Sequence, residues 1–234
     1  MPEQSEVYKN HAQDYERLIA KEDYRGNILT AIQSRIDLNN LVIADIGAGT
    51  GRFTRMLKPY AKDILGLDLS MQMLRVAKTL LRAHSQSGWY LSAADNRNLP
   101  IAANAVDLAI AGWSFGHATV WYEDMWKKEI SLSIMELLRI VRPGGTAMVF
   151  ETLGSGSDEP GPPTKTLADY YTYLEQDLGF EKIIIETDYR FSSLEEAEEL
   201  SRFFFGDELG DKVVERNWVI LPEWTGMWLY IKSL

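Results

Sequence analysis

The stretch DIGAGTG, Asp45–Gly51, is the feature that most restricts how this chain can fold. Three glycines stand there at alternate positions, directly after the apolar run LVIA. A glycine bend between a strand and a helix lets backbone N–H groups approach a ligand, because no Cβ stands in the way. The helix that follows adds a favourable partial positive charge at its N-terminus. The stretch therefore predicts a buried strand, a ligand-binding turn and a helix.

The spacing of the glycines distinguishes this turn from two common nucleotide-binding turns. A dinucleotide fingerprint requires Gly-x-Gly-x-x-Gly. Gly47 and Gly49 fit that pattern, but Arg52 occupies the position of the third glycine. A phosphate loop requires Gly-Lys followed by Ser or Thr, which this stretch does not contain. The spacing therefore disfavours an NAD-binding oxidoreductase and a phosphate cradle.

Predicted strands and helices alternate along the chain as far as residue 152. The apolar runs LVIADIG, DILGLDLS, GWYLSAAD, AVDLAIAGWS and TAMVFETL are typical of buried strands, and segments with helical spacing separate most of them. This rhythm predicts an α/β fold with a doubly wound, mostly parallel sheet and helices on both faces. We expect the last strand, MWLYIKS, to be antiparallel.

The chain is predicted to be one domain with three parts. These are a helical cap at 1–40, a core at 41–152, and a C-terminal half at 153–234 with a helical insertion at 192–216. Gly26 and Asn27 are expected to break the helical cap. A capping box of Ser193 and Glu196 marks the start of the insertion.

Composition excludes several classes of function. The chain has 34 acidic and 24 basic residues and a net charge of −10, which disfavours broad contact with nucleic acids. It has no cysteine, so disulfides, thiolate metal sites and a cysteine nucleophile are excluded. We find no His/Asp/Glu cluster at ligand spacing and expect no metal. With no signal peptide or membrane-spanning run visible, a cytoplasmic location is expected.

Two further acidic residues and one turn complete a known pattern. Asp68 ends the second predicted strand, Asp95 follows the third, and LLRIVRPGGTAMVF leads into the fifth. Together with DIGAGTG, these features resemble the class I S-adenosylmethionine-dependent methyltransferases, of the type 11 methyltransferase-domain kind. The resemblance covers residues 42–150. It implies a Rossmann-like fold and S-adenosylmethionine as the cofactor.

The resemblance also implies roles for particular residues. In the family, an acid at the position of Asp68 binds both ribose hydroxyls, and an acid at Asp95 accepts from the adenine amino group. Asn96 would offer its backbone N–H to the ring, and Asp45 would lie near the methionine ammonium. The remaining expected cofactor contacts are Gly47, Ala48, Gly49, Gly51, Leu69 and Gly112. The cofactor carries no phosphate, which agrees with the missing phosphate cradle.

The segment GWSFGHATVWYEDMW, after the fourth strand, is the candidate wall for a methyl acceptor. Its aromatic residues are Trp113, Phe115, Trp121, Tyr122 and Trp126. Aromatic rings can enclose a planar, apolar or cationic acceptor, although such residues more often pack in a core. His117 is the candidate general base. The alternative is that this imidazole only hydrogen-bonds its own loop.

Two other regions are candidates for the acceptor side. His11 and Tyr15, with Tyr8, form a second possible catalytic group on the N-terminal helix. The alternative is an amphipathic helix packed on the sheet edge. The stretch RFFFGDE in the insertion suggests a lid or a homodimer face, or else a packed helix with a solvated acidic side. The loop GSGSDEPGPP is a further candidate cover for the pocket.

The sequence therefore predicts methyl transfer to a small-molecule acceptor by direct in-line displacement. The attacked atom, whether O, N or C, stays open. One alternative is a cofactor-binding sensor or scaffold without catalysis, and another is an RNA or protein methyltransferase. The fourth strand ends in AGWS rather than in the Asn/Asp-Pro-Pro-aromatic signature of amino-group methylation in nucleic acids.

Overall fold

A seven-stranded sheet organises the protein, in the order β3-β2-β1-β4-β5-β9-β6. The computed structural model describes residues 11–84 and 87–234. The strands of this sheet are β1 Val42–Ile46, β2 Asp63–Asp68, β3 Trp89–Ala93, β4 Val106–Gly112, β5 Val141–Ser155, β6 Glu181–Glu186 and β9 Glu223–Ile231. Two short strands, β7 Tyr189–Arg190 and β8 Ile220–Leu221, form a separate antiparallel pair.

Helices precede β1 and connect the strands that follow. In chain order they are α1 Ala12–Ile19, α2 Asn27–Gln33, α3 Arg52–Leu57, α4 Met71–His84, α5 Ala118–Trp121, α6 Trp126–Ile140, α7 Lys165–Thr172, α8 Leu194–Phe205 and α9 Asp207–Arg216. A 3₁₀ turn covers Phe115–His117 and a π turn covers Tyr173–Asp177.

Strand direction confirms the predicted fold class. Strands β1 to β5 pair with one another in parallel, whereas β9 runs antiparallel to both β5 and β6. The predicted fifth strand began at Thr146, but β5 begins at Val141 and includes Gly144 in a left-handed conformation. The expected RPGG turn is therefore an irregularity within β5, because Val141 already pairs with Val106 of β4.

The central strands are apolar because both faces of the sheet are covered there. Along β4, Leu108 and Ile110 join one buried cluster while Ala109 and Ala111 join the other. The cluster of Ala109 and Ala111 includes buried residues of α6. The cluster of Leu108 and Ile110 includes buried residues of α2 and α3. Burial on both faces places helices on both sides of a parallel sheet. This arrangement leaves the carboxyl ends of the strands for a ligand site.

The N-terminal helices and the late insertion pack on each other. Leu18 of α1 joins a third buried cluster with Leu200 of α8 and Val213 of α9. The ring of Tyr15 lies 5.7 Å from that of Phe204, between centroids. The RFFF segment is thus half-buried against α1, as the packed-helix alternative expects. The division into cap, core and C-terminal half stays a prediction, and Tyr8 lies outside the described residues.

Side-chain hydrogen bonds fix the starts of two helices. Asp23 accepts from the backbone N–H groups of Asn27 and Ile28, and Gly26 takes a left-handed conformation, so the cap breaks where predicted. Ser193 accepts from the N–H of Glu196 at 3.2 Å. The Glu196 carboxylate accepts from the backbone N–H of Ser192 rather than from that of Ser193. Within 11–84 and 87–234, no helix is long and apolar enough to cross a membrane.

We expect Ser193→Ala to lower the free energy of unfolding by about 1 kcal/mol, because the Glu196 N–H loses its acceptor at the start of α8. Urea unfolding followed by circular dichroism measures this change. Ser233→Ala, at an exposed site after β9, is the control. An equal midpoint for the two variants would show that the cap contributes nothing.

Candidate active site

A cavity of about 820 Å³ opens at the carboxyl ends of β1, β2 and β4. After β1 the next strand, β2, is added towards one edge of the sheet, whereas after β4 the next strand, β5, is added towards the other edge. The cavity therefore lies at the topological switch point between β1 and β4. Its volume lies towards the upper end of the usual range for ligand pockets, roughly 300–1,000 Å³. The cavity therefore has a volume compatible with two small ligands bound side by side.

The glycine turn forms the floor of the cavity. Gly47, Ala48 and Gly49 line it, and a Cβ at Gly47 would overlap the side chain of Ser114. Gly47 and Gly49 have φ angles of 68° and 54°, the left-handed region that glycine adopts readily. Gly51 is not part of the lining; it takes a left-handed conformation at the start of α3. The predicted turn and helix are therefore present, with Gly51 serving the helix start.

Asp45 is a buried carboxylate at the end of β1. It is 1% exposed and accepts from both the backbone N–H and the hydroxyl of Thr54, at 2.9 and 2.6 Å. Burial raises the pKa of the Asp45 carboxyl to about 7, and the negative charge of Asp68 acts in the same direction. The group lines the cavity. A cation placed beside it would favour the ionised form.

Asp68 joins the glycine turn to β2. One carboxylate oxygen accepts from the N–H of Gly49 at 2.8 Å, and the other accepts from the N–H of Ser70 at 2.7 Å. Burial raises the pKa of Asp68 above its usual value. The side chain lines the cavity beside Leu69, which is 72% exposed. An apolar side chain so exposed at a cavity mouth is available to pack on a ligand ring.

Asp95 lies at the far side of the cavity and is held by Arg97. The Arg97 guanidinium donates to Asp95 through Nε at 2.8 Å and to Glu129 through Nη1 at 2.6 Å. Arg97 holds the pKa of the Asp95 carboxyl below its usual value. Asn96 donates from its side-chain amide to the hydroxyl of Ser114 at 2.8 Å. Asp95 and Asn96 both line the cavity, as does Gly112.

The segment after β4 supplies the opposite wall. Trp113, Phe115, His117, Trp121 and Tyr122 line the cavity. Trp126 is not part of this lining; it is half-buried against the core, with its ring edge-to-face with that of Tyr170 at 6.5 Å between centroids.

His117 is neutral at physiological pH. Burial lowers the pKa of its imidazole to about 4, and its ring stacks on that of Trp121 with centroids 5.0 Å apart. It also hydrogen-bonds the backbone of Trp113, whose φ of 47° is unusual for a bulky residue. A neutral imidazole is the form that can accept a proton, as a general base must.

The N-terminal helix brings one of its two described candidates to the cavity. Tyr15 and Ile19 line the cavity, and burial raises the pKa of the Tyr15 phenol far above its usual value, so it is a hydrogen-bonding group rather than a base. His11 is not part of the lining. Its ring lies 3.4 Å from the Asp14 carboxylate and packs edge-on against Phe203.

Sequence reasoning missed three charged cavity residues, Arg52, Arg97 and Glu129. The Arg52 guanidinium lies over the Trp113 ring at 4.6 Å and pairs with Glu22, thirty residues earlier. The sequence singles out Arg52 only as the residue in place of the third glycine of the dinucleotide pattern. Nothing in the sequence indicates its partner. Within the described ranges, no three His, Asp or Glu side chains are placed to hold a metal ion.

Comparison with known proteins agrees with this geometry. The model of the methyltransferase domain matches residues 44–149. The malonyl-[acyl-carrier protein] O-methyltransferase of Buchnera aphidicola is 31% identical over 154 residues, which are 65% of this chain and 55% of the relative. The enzyme of the same name from Legionella pneumophila is 28% identical over 175 residues, 74% of this chain and 57% of the relative. The chain thus spans just over half the length of these two relatives.

Two solved structures have the same fold. The YcgJ protein of Bacillus subtilis superposes with a TM-score of 0.61 at 11% identity, covering 90% of this chain and all of the other. An S-adenosylmethionine-dependent methyltransferase of Methanococcus maripaludis superposes with a TM-score of 0.56 at 19% identity, covering 100% and 98%. Identities this low support the fold alone.

The strand order and the glycine turn agree with the match of residues 44–149 to the methyltransferase-domain family. Over these residues the chain is similar to class I S-adenosylmethionine-dependent methyltransferases. S-adenosylmethionine is its cofactor. The cavity fits that molecule, because buried carboxylates and backbone amides face it where a phosphate-binding site would need a basic cradle.

We expect Asp68→Ala to weaken binding of S-adenosylhomocysteine by about tenfold to a hundredfold, the usual worth of hydrogen bonds to a charged group. Isothermal calorimetry measures the affinity. Asp63→Ala, at the opposite end of the same strand, is the matched control. If both variants bind like the parent protein, Asp68 does not contact the ligand.

Asp45 should couple ligand binding to proton release. Its carboxyl has a pKa of about 7 in the free protein, and an ammonium group placed beside it would lower that pKa. Binding of S-adenosylhomocysteine at about pH 6.5 should then release protons, and affinity should weaken as the pH falls further. Calorimetry in buffers of different ionisation enthalpy detects the release, and Asp45→Asn should abolish it. A binding enthalpy in the parent protein that is the same in every buffer would contradict this.

Proposed function

We propose that this protein transfers a methyl group from S-adenosylmethionine to a small-molecule acceptor bound in the same cavity. One observation carries the proposal. A single cavity is lined on one side by the glycine turn with Asp45, Asp68 and Asp95, and on the other by an aromatic wall that includes His117. A donor site and an acceptor site that share one cavity allow the two reactants to be held together.

Each residue on the cofactor side would bind the part of S-adenosylmethionine that suits its chemistry. The backbone of Gly47, Ala48 and Gly49 would approach the amino-acid part, and Asp45 would face its ammonium. Asp68 would accept from the ribose hydroxyls while it keeps its bonds to Gly49 and Ser70. A carboxylate has about four acceptor positions, so these bonds leave capacity for a ligand.

The adenine side would be formed by the loops after β2, β3 and β4. Asp95 would accept from the amino group, and the backbone of Asn96 would donate to the ring. Leu69 would pack on one face of the ring, and Gly112 would give room beside it. Arg97 supports this assignment because it holds Asp95 in the ionised form.

The reaction would be an in-line displacement at the methyl carbon. S-adenosylmethionine supplies a methyl group already activated by a positive sulfur, so the protein contributes mainly alignment and exclusion of water. Trp113 and Trp121 would hold the acceptor against the methyl group. His117, which is neutral above about pH 4, could take the proton from a hydroxyl or amine acceptor.

The relatives indicate which acceptor to test first. Their name specifies O-methylation of a malonyl group on an acyl carrier protein. A carboxyl acceptor is ionised at neutral pH and needs no base, whereas an alcohol or amine acceptor does. The requirement for His117 therefore distinguishes the two chemical classes. A cofactor sensor without catalysis is the second candidate, since the donor-side residues account only for binding.

A screen of small acceptors, read by release of S-adenosylhomocysteine, tests the proposal. It should contain thioester-linked and free carboxylic acids together with phenols, alcohols and amines. We expect transfer to at least one class. Binding of S-adenosylhomocysteine without transfer to any of them would contradict catalysis and favour the sensor.

His117→Ala and His11→Ala form a matched pair for the acceptor side. For a hydroxyl or amine acceptor, His117→Ala should lower kcat by about a hundredfold or more and leave the affinity for S-adenosylhomocysteine unchanged. His11→Ala should match the parent enzyme, because His11 is not part of the cavity lining. An equal kcat in both variants with such an acceptor would exclude His117 as the base.

A further inference from the structure

Glu151 is a buried acidic residue that neither the sequence pattern nor the cavity lining includes. It lies on β5, is 4% exposed, and is packed beneath the 3₁₀ turn Phe115–His117. Its Oε1 accepts from the backbone N–H of Gly116 at 2.8 Å, and the backbone of Phe115 also hydrogen-bonds it. A buried carboxyl group is costly unless its hydrogen bonds are satisfied, so its presence in a parallel sheet calls for a local reason.

The turn above Glu151 has no cap of its own. The first N–H groups of a helical turn lack partners within it and usually take a side-chain acceptor from the preceding residue. Ser114 holds that position but makes no capping bond; its hydroxyl instead accepts from Asn96. Glu151, thirty-five residues later in the chain, supplies the acceptor from the sheet below.

Gly116 makes this contact possible. A Cβ at Gly116 would lie 2.7 Å from Oε2 of Glu151, closer than real Cβ contacts allow. The bare backbone of the turn can therefore rest directly on the carboxyl group. The pair behaves as one unit, because a side chain at either position must suit the other.

The turn carries much of the acceptor wall. Phe115, His117 and, directly after them, Ala118 and Trp121 all line the cavity. Glu151 touches none of the cavity space itself. It can therefore act on the acceptor only indirectly, through the backbone of Phe115 and Gly116 or through Tyr170, whose side chain also hydrogen-bonds it.

We propose that Glu151 is a positioning residue that sets the acceptor wall by holding the 115–117 turn to β5. The inference rests on the proposed function for its meaning in catalysis, but the contact can be tested without an acceptor. The proposal predicts that removal of the Glu151 carboxyl group, which accepts the hydrogen bond from Gly116, releases the turn and exposes His117 to water.

The amide variant should keep the contact. Burial raises the pKa of the Glu151 carboxyl to about 8, so at neutral pH the carboxyl is mostly protonated and bonds the turn through an uncharged oxygen. A glutamine side chain offers the same oxygen at the same reach. Glu151→Gln should therefore resemble the parent protein, whereas Glu151→Ala should not.

Titration of the histidine signals by NMR measures the effect. The chain has three histidines, so His117→Gln assigns the signal of interest. In the parent protein His117 should titrate near pH 4. In Glu151→Ala it should titrate about one pH unit or more higher, because water reaches the freed imidazole. Glu223→Ala is the control, since Glu223 is equally buried but bonds the hydroxyl of Thr152 instead of the turn.

A second variant alters the same contact on the side of the turn. It keeps the proposal testable if Glu151→Ala does not fold. Gly116→Ala should raise the His117 titration in the same direction, because the new Cβ meets the carboxyl group. In the double variant the clash is gone, so the combined shift should be smaller than the sum of the two single shifts.

Three outcomes would overturn the proposal. They are an unchanged His117 titration in folded Glu151→Ala and Gly116→Ala, additive shifts in the double variant, and an equal shift in the Glu223→Ala control. If an acceptor is found, Glu151→Ala should raise its KM and leave S-adenosylhomocysteine affinity unchanged. Absence of methyl transfer by the parent protein to every acceptor tested would contradict the proposed function and leave the titration result unaffected.

Discussion

The hydrogen bond from the Gly49 N–H to the Asp68 carboxylate is the contact on which the cofactor side depends. It joins the turn after β1 to the end of β2, and Asp45 anchors the same turn to α3 through Thr54. Asp45 is buried and Asp68 is half-buried, so the charged form of each is disfavoured until a partner arrives. A cation or hydroxyl-bearing ligand would satisfy groups that the free protein satisfies only in part. Shape and charge are thus set together by three short segments at the switch point of the sheet.

The aromatic wall is also held by hydrogen bonds, which here come from β5 and from the backbone of Trp113. Glu151 supports the 115–117 turn from beneath, and the Trp113 backbone hydrogen-bonds His117. The left-handed conformation of Trp113 places its indole between Phe53 and the Arg52 guanidinium. A strained residue is retained when the surrounding contacts over-determine it, and such residues occur often at functional sites. The two sides of the cavity are therefore positioned by buried polar groups on the strands.

Much of the fold and cofactor side could be predicted because local sequence specifies them. Alternation of strands and helices predicts the sheet, and acids directly after parallel strands must meet at one edge. The pairs Arg52–Glu22 and Gly116–Glu151 could not be predicted, since nothing local indicates which distant residues meet. His11 and Tyr15 share a helix face by spacing, yet only Tyr15 reaches the cavity. The site roles, a homodimer face and a cytoplasmic location stay predictions.

A crystal structure with S-adenosylhomocysteine bound would test the central claim most directly. The account predicts the ligand beyond the ends of β1 and β2, with its ribose hydroxyls on Asp68, its ammonium beside Asp45 and its amino-acid part against the backbone of Gly47–Gly49. The aromatic wall should remain open to an acceptor on the sulfur side. A ligand elsewhere in the molecule, or one in this cavity with Asp68 bonded only to Gly49 and Ser70, would contradict the account.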